Sequence, residues 1–160
     1  MKRSILLILT AALLGLGLLA GCGGDDGGDD AAAQKEDFAR EFKPINADFL
    51  KLGQDVQQTI QTADTKSDEE LATKFKSLSD QVLAVRTRLT GLEAPDEYKE
   101  DVDRLAASMQ VVAGDLGEIS AAAEGSRAAE AKTQVQELVR HSVETRTARR
   151  ALARKTGAQQ

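Results

Sequence analysis

Phe38, Phe42, Ile45, Phe49, Leu52 and Val56 follow one another at spacings of alternately four and three, and no other feature constrains the fold of this chain as strongly. Apolar side chains so spaced lie on one stripe of an α-helix, which must be covered by something else. Leu71, Phe75, Leu78, Val82, Val85, Leu89 and Leu92 repeat the rhythm, and so do Val102, Leu105, Met109, Val112, Leu116 and Ile119. A fourth segment, about 128–152, is weaker: Ala131, Val135, Leu138, Val139, Val143, Ala148 and Leu152 mark a face that Gln134, Ser142 and Thr145 soften. Strand patterns are absent from the sequence.

The punctuation between the stripes suits helix ends. Ser67 followed by Glu70 has the spacing of a capping box. Gly91 and Pro95 bracket the next break, with Pro95 suited to a first helical position and Asp96 and Glu97 to the positive end of the helix dipole. Gly125 and Ser126 suggest a left-handed C-terminal glycine followed by an N-cap serine. Pro44 falls inside the first stripe, where it either kinks the helix or divides off 31–43 as a separate short piece. Short connections force neighbouring helices antiparallel, so the expected fold is all-α, an up-down-up-down four-helix bundle over 31–156 with 157–160 as a tail. The alternative is a three-helix bundle with a loose C-terminal helix.

The first residues form an address. Lys2 and Arg3 precede an apolar run from Ile5 to Leu19, the pattern of a secretory signal. At 16 residues, Ile5–Ala20 is shorter than the roughly 20 needed to span a bilayer. Leu19-Ala20-Gly21-Cys22 resembles the lipobox of bacterial lipoproteins. The resemblance implies a signal peptide over 1–21, cleavage after Gly21, and a lipid on the sulfur of Cys22 that fixes the mature chain to a membrane, facing away from the cytoplasm. The segment Leu89–Tyr98 resembles a turn found in small helical lipoproteins of high-GC bacteria, which implies architecture and no activity. Residues 23–30, Gly-Gly-Asp-Asp twice over, have no apolar side chain to bury and read with Cys22 as a tether over 22–30.

Composition then excludes chemistry more readily than it suggests any. One cysteine closes no intrachain disulfide, and one His with one Cys cannot supply an ordinary zinc site. A net charge of -5 with 3% aromatic residues argues against nucleic acid as a partner. A di-iron bundle needs two Glu-x-x-His motifs and attached haem needs Cys-x-x-Cys-His; neither occurs. Met109 falls on the apolar stripe as a core residue, and His141, between Arg140 and Ser142, reads as a solvated helix face. Asp101 and Asp103 likewise read as exposed carboxylates. No nucleophile elbow is present. No enzyme, cofactor or metal is therefore expected.

Charge is distributed unevenly. Residues 136–160 carry Arg140, Arg146, Arg149, Arg150, Arg154 and Lys155 against Glu137 and Glu144, net +4. In an even-numbered antiparallel bundle both chain ends share a pole, so Arg146, Arg149, Arg150 and Arg154 are candidates for contact with headgroups or a partner. Alternatively they pair with nearby acids such as Glu36, Asp37 and Glu41. The expected role is binding another envelope protein. The alternative is a small-ligand or sensor-accessory role with a pocket where Gln134, Ser142 and Thr145 soften the fourth stripe, between the third and fourth helices.

Overall fold

A computed structural model describes residues 27–159 and is a bundle of four helices, α1 (Gly27–Gln61), α2 (Asp68–Thr90), α3 (Asp96–Glu124) and α4 (Ala128–Lys155). A single 3₁₀ turn, Ala63–Thr65, joins α1 to α2. Among the described residues there is no strand. The stripes meet in one core: Phe38, Phe42, Leu78, Leu89, Leu105, Met109, Leu116, Ile119, Leu138 and Leu152 are all nearly inaccessible to water. The fourth helix is well formed and packed on α3, so the three-helix alternative is set aside.

Helix ends follow the sequence signals with two exceptions. At α2 the capping box is complete: the Ser67 hydroxyl accepts from Glu70 N–H at 3.3 Å, and Glu70 accepts from Ser67 N–H at 2.9 Å. That hydrogen bond from the Ser67 backbone holds the Glu70 carboxyl below its ordinary range. Pro95 occupies the N-cap of α3, one place before the first helical residue. At the α3/α4 turn it is Ser126, not Gly125, that takes the left-handed conformation, with φ +50°. Gly125 leaves room for the Arg127 guanidinium, whose Nη2 donates to the Ala121 carbonyl at 3.1 Å and so caps the end of α3.

α1 is continuous through Pro44, whose own side is exposed, so 31–43 is not a separate piece. Phe38 and Phe42 stack at 5.9 Å upstream of the proline, and Phe38 packs on Tyr98 at the start of α3. Burying these rings upstream and Ile45 and Leu52 downstream keeps both halves on one line despite the missing amide donor. The helix also begins at Gly27, so the second Gly-Gly-Asp-Asp run belongs to its first turn rather than to a tether, in keeping with the preference for acids at a helix N-terminus. Residues 22–26 lie outside the described residues.

The helices are not equally close. α2 and α3 approach tightly because Ala72, Ala106 and Ala113 lie buried along their seam. Side chains bridge the gap to backbone carbonyls: Ser120 to Ala72 and Ser79 to Ala113, both at 2.8 Å, and Arg86 to Ala106 at 3.1 Å. α3 and α4 are similarly close, whereas α1 lies along α2 and approaches α4 at few points. Replacing Pro44 by Ala should raise stability by about 1–3 kcal/mol, since a hydrogen bond is restored and no buried contact is lost. Leu116→Ala, at a fully buried position, should cost about 2–5 kcal/mol. Urea denaturation of both variants checks the pair of signs.

Candidate functional site

The wide seam between α1 and α4 is closed at one end and open along the rest. It is closed by Asn46, which is 1% exposed. Its amide donates to the Ala158 carbonyl at 2.9 Å and its Oδ1 accepts from Arg149 Nη1 at 2.8 Å. Burial, with the neighbouring charge of Arg150, pushes the Arg149 guanidinium down from its ordinary pKa, and its Nε is buried without a partner among the described residues. The same pole is laced by Lys35 to Glu97 at 2.8 Å, Lys155 to Asp101, and Tyr98 Oη to the Lys155 carbonyl at 3.4 Å. The hydrogen bond to Asp101 raises the Lys155 pKa, and the one from Lys35 lowers that of Glu97. Asp101 is therefore a buried structural carboxylate, 7% exposed, rather than a solvated one.

Beyond Arg149 the two helices part around a slot of about 380 Å³. α1 contributes Phe49, Leu52, Gly53, Val56 and Ile60, and α4 contributes Leu138, Val139, Ser142, Thr145 and Arg146. Val82 of α2 and Val112 of α3 form the floor. Gly53 is part of the α1 wall, and a Cβ built there meets nothing within 4 Å. Opposite it stand Ser142 and Thr145, the short polar residues of the weak fourth stripe. The Thr145 hydroxyl is already spent on the His141 carbonyl at 3.1 Å. Arg146 is the one charged residue in the lining, and it has no ion pair among the described residues. A second cavity of about 480 Å³ shares Ile60 with the slot and continues toward the far end of the bundle over Leu71, Phe75 and Val135.

The pocket anticipated between the third and fourth helices is thus on the other side of α4. Ser142 and Thr145 line it and Gln134 does not. On the α3 side of α4, His141 corrects its expected role. Its Nδ1 lies 2.7 Å from Asp115 Oδ2, a geometry in which the ring N–H donates to the carboxylate. Both side chains are largely buried, 20% and 10% exposed. Sequence reasoning missed the pair because Asp115 and His141 lie on different helices, and neither interrupts an apolar stripe.

The four candidate arginines do not form one patch. Arg146 borders the slot, Arg149 is half-buried on Asn46, and Arg150 and Arg154 are exposed. None of them pairs with Glu36, Asp37 or Glu41 among the described residues; Asp37 pairs with Arg40 instead. Met109 is in the core, 1% exposed. No group of three or more His, Cys, Asp or Glu side chains among the described residues could hold a metal. Leu19, Ala20, Gly21 and Cys22 lie outside the described residues.

Asn46→Ala should cost about 1–3 kcal/mol, because it leaves the Ala158 carbonyl and a half-buried guanidinium without their partner; chemical denaturation measures it. Compared with models of protein families, with curated proteins and with solved structures, the chain matches none.

Proposed function

We propose that this chain is a lipid-anchored, extracytoplasmic binding module whose binding site is the slot between α1 and α4, and that it catalyses no reaction. The anchor rests on the sequence: a signal peptide over 1–21, the lipobox residues Leu19, Ala20 and Gly21, and Cys22 as the lipidated residue. No helix among the described residues is long and apolar enough to cross a membrane. The binding role rests on one observation, a mostly apolar slot of about 380 Å³ between α1 and α4.

Two occupants were open from the sequence, another envelope protein and a small ligand. The slot favours the ligand. Its volume of about 380 Å³ is of the size that holds a small molecule, and Leu138 and Thr145, each 1% exposed, close its floor. The protein-partner reading draws support from Val139 and Val143, 55% and 50% exposed on α4, which make a short apolar strip at the rim. Membrane attachment falls to the lipid on Cys22. The exposed Arg150 and Arg154 share their pole with Asp96, Glu97 and Glu100, which offsets much of the attraction those arginines would exert on anionic headgroups.

Metabolic labelling with tritiated palmitate tests the anchor. The wild-type chain should take up label and Cys22→Ala should take up none; a labelled variant would overturn the reading.

A further inference from the structure

We infer that the slot takes one long-chain carboxylate, an unbranched fatty acid, with its head at Arg146 and its chain running along α1 toward Ile60. The inference rests on the slot being the binding site, as proposed above, and adds what fills it.

Length is the first argument. From Phe49 to Ile60 the wall formed by α1 is about 17 Å long at 1.5 Å per residue. One leaflet of a bilayer, half of a hydrocarbon core of about 30 Å, accommodates a single acyl chain in about 15 Å. A slot of that length is matched to one such chain.

Chemistry is the second argument. Phe49, Leu52, Val56, Val82 and Leu138 offer no hydrogen bonds and the Thr145 hydroxyl is committed to its own helix, which leaves Gln57, Gln61 and Ser142 as the uncharged polar side chains of the lining. A sugar, nucleotide or peptide carries more polar groups than those three side chains can pair. An alkyl chain buries nothing that needs a partner and gains about 0.8 kcal/mol per methylene.

Charge is the third argument. Arg146 is the slot's sole ionic group, and its Nε rests on the Ser142 carbonyl at 3.3 Å, which holds the guanidinium on the α4 wall. It stands at the end of the slot nearest the closed pole. A guanidinium without a carboxylate partner beside an apolar slot complements an anionic amphiphile and not a cationic or neutral one.

Gly53→Leu separates binding from folding. Gly53 lines the slot and a Cβ there meets nothing within 4 Å, and leucine is a better helix former than glycine, so the variant folds with undiminished thermal stability while adding bulk to the slot's α1 wall. The full chain, held in nanodiscs, is photo-crosslinked with a palmitate bearing a diazirine, and the adducts are located by peptide mass spectrometry. Label on α1 and α4 within the slot in the parent, weakened about tenfold or more in Gly53→Leu, is the expected result, since excluding as few as two methylenes has that effect. Arg146→Gln should weaken capture of the acid about tenfold and leave that of its methyl ester unchanged. Adducts that ignore Gly53→Leu, or equal capture of acid and ester by the parent, would overturn the fatty-acid assignment. A compact apolar dye, anilinonaphthalene sulfonate, separates the two readings. If its binding depends on Gly53 while the palmitate probe does not label the slot, the slot binds another class of ligand and only this inference fails; if neither depends on Gly53, the slot is no binding site.

Discussion

Alanine at the facing positions of α2 and α3 lets two backbones come close enough for serine hydroxyls to reach across and bond to carbonyls, and the layout of the bundle depends on that approach. α4 joins the same compact unit, tied to α3 by His141 and Asp115. α1 cannot join it on equal terms. Its stripe carries three phenylalanines and it has no buried alanine beside them, and rings of that size hold a helix axis further out. Where the rings pack, near Tyr98, the extra separation is filled. Beyond Asn46 the slot opens, with Gly53 on the flank of the stripe.

The slot is accordingly a product of mismatch, between a helix of large residues and the short Ser142 and Thr145 of α4. Its walls are nonetheless fixed. The α4 wall is held from behind by the His141–Asp115 pair, and the α1 wall is pinned through Asn46 to Arg149 and Ala158. A cavity of definite shape between rigid helices is the condition for a site that binds without having to order itself first.

The four helices, their order and most of their ends were legible in the sequence, because the spacing of three and four is a local signal and survives any tertiary arrangement. The softened fourth stripe was legible too. Its neighbour was not: Ser142 and Thr145 were assigned to the seam with the preceding helix, whereas they face the first. Nothing in a periodicity says which of two flanking helices a stripe's edge will meet. Gly53 carried the missing information, since it sits on the flank of the α1 stripe, but a lone glycine in a helix has no meaning until the residues opposite it are known. The buried pairings of Asp101 and Asp115 were hidden for a related reason. A charged residue in a charged stretch looks solvated until a partner arrives from a helix distant in sequence. The resemblance of Leu19-Ala20-Gly21-Cys22 to a lipobox is of another kind, a linear pattern whose meaning would be chemical and owe nothing to the fold.

The bond between Asn46 and the end of α4 also sets a lever arm. From Asn46 to Gln61 the free length of α1 is about 22 Å. With one end fixed, a tilt of about 3° at Asn46 displaces the far end by roughly 1 Å, enough to pinch or relieve a slot one hydrocarbon chain wide. The connection to α2 beyond Gln61 is a single turn of 3₁₀ helix with no buried residue. The bundle is thus riveted at one pole, and the angle at which a buried asparagine holds α1 sets the width of the slot at the opposite end.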